Sequence, residues 1–180
     1  MKKVLIVTGD GAEALEVMYP FQRLLEAGHK VTLASPTAKV IRTVVHDFEP
    51  GFETYTEKWG YQIKTDIGFA DVIPENYDAL LLPGGRAPEY IRNNPDCQRI
   101  VKHFFETQKP VAAICHAALI LIACNLLKGY TCTAYPALKP DVEGAGATYK
   151  DAEVVVNRNL ISSRAWPDHP AFLREFISLL

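Results

Sequence analysis

The sequence has few of the features that mark several large function classes. Its four cysteines include no Cys-x-x-Cys pair, which argues against a zinc ribbon or a thioredoxin-type site. A formal net charge of −2 provides no bulk attraction for nucleic acid or for an anionic membrane. No apolar run approaches the roughly 18 residues of a membrane span. We therefore expect no nucleic acid and no membrane as a partner, and a reduced, cytoplasmic setting.

Motifs for metals and nucleotides are also missing. The turn Gly9-Asp10-Gly11 is followed by Ala-Glu-Ala and lacks the third glycine of a dinucleotide fingerprint. Several potential metal ligands could meet in space, but their spacing matches no known ligand motif. These residues are His46, Asp47, Cys115, His116 and His169. The sequence therefore predicts no metal site and no bound cofactor.

Short apolar runs alternate with helical patterns along most of the chain, and 180 residues suit one α/β domain over residues 1–180. Glycine-rich turns after the early strands are typical of a doubly wound parallel sheet. The predicted strands are Lys3–Thr8, Lys30–Ala34, Asp78–Leu82, Pro110–Ile114 and Thr131–Ala134, with a late hairpin of Val154–Val156 and Leu160–Ser163. The predicted helices include Ala12–Ala27, kinked or begun late at Pro20, together with Asp96–Thr107, Ala117–Leu127 and Pro167–Leu180.

The segment from Val40 to Ile67 differs from this pattern. Val40–Val45 and Tyr61–Lys64 predict a small antiparallel excursion, and a polar, aromatic loop lies between them. A loop of that length commonly carries a function or an interface. Its aromatic residues therefore suggest a pocket rim or a subunit contact, and the alternative is a loop that packs only on its own side chains.

The most informative stretch is Lys109–Cys124, in which Cys115 and His116 separate a buried strand from an Ala- and Leu-rich helix. A cysteine on such a sharp turn is held at a helix N-terminus, where the dipole favours a thiolate and free N–H groups can stabilise an oxyanion. Gly84 and Gly85 follow another strand and allow a ligand to approach the backbone closely. The alternative is a buried structural cysteine beside an unrelated histidine.

Taken together, GAEALEVMYPFQRLLEAGHKV, LLLPGGRAPEYIR and KPVAAICHAALILIACNLLKG resemble the ThiJ/PfpI family, whose fold is shared with the class I glutamine amidotransferases. The pieces HDFE, TYTEK and AWPDHPAF look closer to its plant-type glyoxalase III branch than to the archaeal protease PfpI. The resemblance implies a flavodoxin-like, three-layer α/β/α sandwich with a mostly parallel sheet. It also implies a homo-oligomer, either a dimer or a trimer of dimers.

The resemblance implies a role for each matching residue. Cys115 is the nucleophile, on a strained elbow, and Glu13 is the carboxyl that contacts its sulfur. His116 is the adjacent base, and Glu89 is the acidic residue that orients such a histidine from a neighbouring subunit. The oxyanion and substrate site matches backbone groups at Gly84, Gly85, His116 and Ala117. Glu13 as a solvated first-turn carboxylate, and Glu89 as a surface charge, are the alternatives.

Three functions follow from this set. The first is a glutathione-independent glyoxalase or deglycase that acts on small aldehydes such as methylglyoxal through Cys115. The second is a cysteine peptidase or amidase with a Cys115–His116–Glu89 triad. The third is a redox-sensing or chaperone-like stress protein in which Cys115 is oxidised. Ala117-Ala118 stands where the family usually has Gly-Pro after Cys-His, which predicts a tighter, more apolar pocket floor.

Overall fold

The computed structural model describes all 180 residues and contains eleven strands and six α-helices. The strands are β1 (Lys3–Val7), β2 (Lys30–Ser35), β3 (Val40–Asp47), β4 (Thr56–Lys64), β5 (Ile67–Gly68), β6 (Ala79–Leu82), β7 (Val111–Ile114), β8 (Thr131–Cys132), β9 (Thr148–Tyr149), β10 (Val154–Asn157) and β11 (Leu160–Ser163). The helices are α1 (Ala14–Glu26), α2 (Ala87–Ile91), α3 (Pro95–Glu106), α4 (Ala118–Ala123), α5 (Lys139–Gly144) and α6 (His169–Ser178). No helix has the length and apolar content needed to cross a bilayer.

The central sheet has seven strands in the order β10-β11-β7-β6-β1-β2-β5. All neighbouring pairs are parallel except β10 and β11. The chain runs outward from β1 in one direction through β2 and in the other through β6 and β7. The carboxyl ends of β1 and β6 therefore flank the point where the winding reverses, which is where open α/β sheets bind ligands.

Both faces of the sheet are covered, as strands that are apolar on both sides require. On one face Val4 and Ile6 of β1 pack with buried residues of α1 and α6, including Phe172 and Phe176. On the other face the alternate residues of β1 pack with α3 and α4. The predicted flavodoxin-like, three-layer α/β/α architecture with a mostly parallel sheet is confirmed, as are the late hairpin and the apolar runs that form β1, β2, β6 and β7.

Several predicted boundaries were wrong. The first helix neither begins at Pro20 nor includes Ala12, because Glu13 caps it and Pro20 lies within it. The Ala117–Leu127 helix is shorter: a 3-10 turn covers Cys115–Ala117 and α4 ends at Ala123, before Asn125 adopts a positive φ of 56°. The predicted Thr131–Ala134 strand is reduced to β8, which pairs with β9 in a small separate sheet.

The antiparallel excursion is present but larger than predicted. β3 pairs with β4 from Val40 opposite Lys64 to Asp47 opposite Thr56, so the strands extend into the expected polar loop and residues 48–55 connect the two. The sequence concealed this because β4 is exposed on both faces for most of its length and therefore lacks the apolar alternation of a half-buried strand.

Candidate active site

Three strand ends meet at one edge of the central sheet. Cys115 directly follows β7, Gly84 and Gly85 lie just after β6, and the turn that leads to Glu13 follows β1. Backbone hydrogen bonds tie these segments together, since the Glu13 N–H donates to the Gly84 carbonyl at 3.3 Å and the Arg86 N–H donates to the Gly11 carbonyl at 2.8 Å. The sheet therefore gathers residues that are about 100 positions apart in the sequence.

Cys115 lies on a strained elbow, as predicted. Its φ is 61°, a left-handed conformation that costs a side-chain-bearing residue on the order of 1 kcal/mol or more. The side chain is buried, with 5% of the residue exposed. The Nδ1 atom of His116 lies 3.3 Å from the sulfur, and the backbone N–H groups of Gly85 and His116 are close enough to it to lower its pKa.

The other two residues of the predicted oxyanion site are arranged differently. The N–H of Gly84 is directed away from the sulfur to the Glu16 carboxylate, at 2.8 Å from Oε2. Ala117 is fully buried and immediately precedes α4. The donors available at the sulfur are therefore those of Gly85 and His116.

The carboxyl group at the sulfur belongs to Glu16, whereas the sequence analysis gave that contact to Glu13. The Glu16 carboxyl lies beside Cys115, since a Cβ placed on Gly84 would lie 2.5 Å from both the Glu16 Oε2 and the Cys115 Cβ, and each of the two groups shifts the pKa of the other. Glu13 instead caps α1, its Oε2 accepting from the Glu16 N–H at 2.8 Å. The reason is helical geometry: the N-cap side chain turns back to the first turn, while Glu16 projects into the interior.

A sequence signal for Glu16 was present. Position 16 shares the buried stripe of α1 with Val17, Pro20 and Leu24, and a carboxyl on an apolar stripe is rarely left there without a partner. Glu16 is fully buried, and its Oε1 has no partner within normal hydrogen-bond geometry.

Burial sets the protonation of this pair. It raises the pKa of Glu16 to about 8, and the charge of Glu13 adds to that rise. Burial also raises the pKa of Cys115, as does the charge of an ionised Glu16, while the Gly85 and His116 N–H groups lower it. Below about pH 8 Glu16 is neutral, so it carries no charge that would oppose a thiolate. The sequence analysis expected the helix N-terminus to favour a thiolate, but the pKa of Cys115 is raised. Burial therefore has a larger effect on this pKa than the short helix α4.

His116 is enclosed by aromatic rings. Its imidazole stacks on Tyr135 with ring centroids 5.0 Å apart and meets the edge of Tyr55 at 6.1 Å. Burial lowers the pKa of His116 to about 4, with a further contribution from the charge of His46. His116 is therefore uncharged at neutral pH, and it can accept a hydrogen bond from the thiol.

Glu89 is not joined to His116 within the chain. It lies on α2, is exposed, and lines a cavity of about 570 Å³ with Arg86 and Tyr90. No three His, Cys, Asp or Glu side chains form a group that could hold a metal ion, and this holds for the potential ligands named from the sequence. The role of Glu89 across a subunit boundary remains a prediction.

We expect Gly84→Ala to disable the site. A Cβ at Gly84 lies 2.5 Å from both the Cys115 Cβ and the Glu16 Oε2, so one of them must move. Overpacking of this kind costs about 1–3 kcal/mol, measurable by urea unfolding, and alkylation of Cys115 by iodoacetamide should change in rate. Gly144→Ala is the control because its added Cβ meets nothing within 4 Å. If the two variants have the same free energy of unfolding and the same alkylation rate, the Cβ at Gly84 does not crowd Cys115 and Glu16.

The sequence is similar to known proteins over nearly its whole length. A family model described as "DJ-1/PfpI family" matches residues 2–179. A deglycase of Pyrococcus horikoshii is 46% identical over 178 residues, covering 99% of each chain. DJ-1 homolog D of Arabidopsis thaliana is 42% identical over 186 residues, covering 99% of this chain and 48% of that protein, so the chain spans about half of the plant relative.

Solved structures agree as well. The crystal structure of Drosophila melanogaster DJ-1beta superposes with a TM-score of 0.84 at 25% identity, covering 99% of this chain and 90% of that one. The family resemblance noted from the elbow, the paired glycines and the glutamate after the first strand is thus confirmed over nearly the whole length. The chain belongs to the DJ-1/PfpI family.

Proposed function

We propose that the protein is a cysteine-dependent enzyme that acts on small reactive carbonyls, converting methylglyoxal or glyoxal into the hydroxy acid without glutathione. The observation that carries the proposal is the buried Glu16 carboxyl at the Cys115 sulfur. A carboxyl that is protonated at neutral pH can give a proton to a carbonyl oxygen and, once ionised, can take one from carbon. The related archaeal protein named as a deglycase supports a reaction of this class.

The chemistry requires one nucleophile and one mobile proton. The thiol of Cys115 loses its proton to solvent and its sulfur forms a bond to the aldehyde carbon; the C=O π bond breaks, and the oxygen takes a proton from Glu16, which yields a hemithioacetal. Ionised Glu16 then removes the proton from that carbon and gives it to the neighbouring carbon, while the hydroxyl proton passes from the first oxygen to the second. The product is a thioester of the hydroxy acid, which water hydrolyses to release lactate and the thiol of Cys115.

The same site suits repair of glycated groups. A carbonyl already added to an amine or thiol carries the same two-carbon unit. Transfer of that carbon to the Cys115 sulfur breaks its bond to the amine or thiol and frees the modified group, and the hemithioacetal left on Cys115 then rearranges and is hydrolysed as above. This deglycase variant uses the same residues. It differs only in the leaving group, which departs with a proton as the carbon passes to sulfur.

A cysteine peptidase is the second candidate, favoured by the 3.3 Å contact between the Cys115 sulfur and His116 Nδ1. That mechanism needs a thiolate–imidazolium pair and a carboxylate that orients the histidine. A His116 pKa of about 4 disfavours the imidazolium. Glu89 must then come from another subunit, so this function goes with a homo-oligomer, either a dimer or a trimer of dimers. The redox-sensing function also rests on Cys115.

The test is methylglyoxal consumption by the purified protein with no added thiol, followed by proton NMR for lactate, beside hydrolysis of a fluorogenic peptide. Lactate in stoichiometric yield supports the carbonyl reaction. Peptide hydrolysis without lactate would move the proposal to the peptidase, and oxidation of Cys115 by mild peroxide with neither activity would favour the redox function.

A further inference from the structure

The β3–β4 hairpin is fastened to the edge of the sheet that carries Cys115. The N–H of Gly11 donates to the Arg42 carbonyl and the N–H of Val44 donates to the Ala12 carbonyl, both at 2.8 Å. These hydrogen bonds hold the base of the hairpin, and at its far end Tyr55 reaches the active site, with its ring centroid 6.1 Å from that of His116. The reaction described above leaves the side chains of this hairpin unused.

A row of charged and polar groups stiffens the hairpin. Arg86 Nε donates to Glu57 Oε2 at 2.8 Å, and the same oxygen lies 2.9 Å from His46 Nε2. The hydrogen bond from Arg86 is the largest cause of the lowered pKa of Glu57, which keeps that carboxylate ionised. The His46 carbonyl also accepts from the Trp166 indole N–H at 3.0 Å. His46 is 4% exposed, and its position is fixed both by the contact of its ring with Glu57 and by the hydrogen bond to its carbonyl.

The ring held in this way supports Tyr55. The centroids of His46 and Tyr55 are 4.3 Å apart, and Tyr55 also meets Tyr135 edge-on at 5.6 Å and His116 at 6.1 Å. Three aromatic neighbours thus define where the tyrosine stands, beside the histidine that contacts the nucleophile. Burial is the main cause of a raised pKa of Tyr55, and the charge of Cys115 is the second, so the phenol stays protonated and lies within electrostatic range of the sulfur.

The Tyr55 hydroxyl has no hydrogen-bond partner in the protein, although Tyr130 and Tyr149 both have one. A phenol at an active site, held by its ring and left with a free O–H, is suited to donate to a ligand. The Gly85 and His116 N–H groups lie next to the sulfur and can serve the oxygen of the aldehyde carbon that the sulfur attacks. Tyr55 comes from a different element and can serve a second one.

We propose that the Tyr55 hydroxyl donates a hydrogen bond to the second oxygen of an α-dicarbonyl substrate and thereby selects substrates with two adjacent oxygens over simple aldehydes. This rests on the carbonyl chemistry proposed above and names the residue that sets its substrate class. No bond changes at Tyr55: it orients the hemithioacetal while the proton moves through Glu16. His46, Glu57 and Arg86 are positioning residues that act through the tyrosine ring.

The test measures binding separately from turnover. Methylglyoxal is used to protect Cys115 from alkylation by iodoacetamide, with the modified peptide counted by mass spectrometry, and acetaldehyde serves as the one-oxygen probe. Tyr55→Phe keeps the ring and removes the hydroxyl. We expect the half-protecting concentration of methylglyoxal to rise about 5-fold, as loss of one hydrogen bond implies, with that of acetaldehyde unchanged. Glu57→Gln should also raise the half-protecting concentration of methylglyoxal.

Tyr61→Phe is the matched control, because Tyr61 lies on the same hairpin with 70% of its surface exposed. In this variant the half-protecting concentration of methylglyoxal should equal that of the wild type. If Tyr55→Phe also matches the wild type while methylglyoxal still protects, the Tyr55 assignment is wrong and the carbonyl chemistry stands. An equal loss for both aldehydes would make Tyr55 a general packing residue. If methylglyoxal does not protect the wild-type thiol, the proposed function itself fails and the Tyr55 assignment fails with it.

Discussion

Cys115→Ala should abolish lactate formation from methylglyoxal, lowering kcat by about 10⁴-fold or more, as removal of a covalent nucleophile does. No other side chain at this edge of the sheet can form the hemithioacetal. The three remaining cysteines are buried elsewhere, and burial raises the pKa of each to about 11 or 12. Because Cys115 shares this effect of burial, what distinguishes it is the 3.3 Å contact of its sulfur with His116 Nδ1 and the Glu16 carboxyl beside it.

The matched control is Cys124→Ala. Cys124 is as buried as Cys115, at 5% exposure, but it follows the last residue of α4, at the opposite end of that helix from the elbow. Cys124→Ala should keep the wild-type turnover number. Urea unfolding shows whether the variant has lost stability, so that turnover is compared on folded protein. Residual lactate in Cys115→Ala above the uncatalysed rate would show that the reaction does not pass through a covalent adduct at this residue.

The fold was accessible from the sequence because its buried strands are short, apolar and closed by glycine or proline. β6 and β7 each contain four fully or almost fully buried residues, and such strands leave a distinct apolar run. β4 left no such signal. Its position depends on backbone pairing with β3 and not on burial, and a strand stabilised mainly by its partner cannot be read from its own residues.

The site was only partly accessible for a similar reason. Cys115 and His116 could be found because a nucleophile on an elbow needs a strand before it and a helix after it, and both are visible locally. The choice between Glu13 and Glu16 depends on which side chain of the first turn faces the sheet edge. That is a matter of three residues, or most of one helical turn, and the uncertain start of the helix at the sequence level concealed it.

Tyr55 and His46 show the limit more clearly. The sequence analysis left the aromatic residues of this segment at a pocket rim, at a subunit contact or in a loop packed on itself, and it did not choose among them. The choice is made by long-range contacts: Glu57 bonds to Arg86 across 29 positions and His46 bonds to Trp166 across 120. No local pattern encodes those partners, so the placement of Tyr55 over the elbow emerges only when β3–β4 packs on the sheet.

Glu16→Gln should lower kcat for methylglyoxal by about 100-fold or more, since proton transfer by a placed carboxyl contributes on this scale. Glutamine keeps an acceptor for the Gly84 N–H and a donor for the sulfur, but it cannot exchange a proton. In the wild type we expect activity to fall as pH rises through about 8, where Glu16 ionises, because the carboxylate then repels the thiolate and has no proton to give. The residual activity of Glu16→Gln should lack this fall.

Glu13→Gln distinguishes the role of Glu13 from that of Glu16. Glu13 raises the pKa of Glu16 through its charge, so its removal should keep turnover within a few-fold and move the alkaline fall to lower pH. If Glu13→Gln instead loses as much kcat as Glu16→Gln, the mobile proton is carried by Glu13.

Folding stability gives a readout that does not depend on turnover. Folding raises the pKa of Glu16 from its ordinary value of 4.5 to about 8, so over that range the folded state binds more protons than the unfolded state. Stability must therefore fall as pH rises from about 4.5 to 8 and level off above it. Urea unfolding across this window should show the slope reduced in Glu16→Gln, whereas a slope equal to that of the wild type would mean that the group which titrates beside the sulfur is not Glu16.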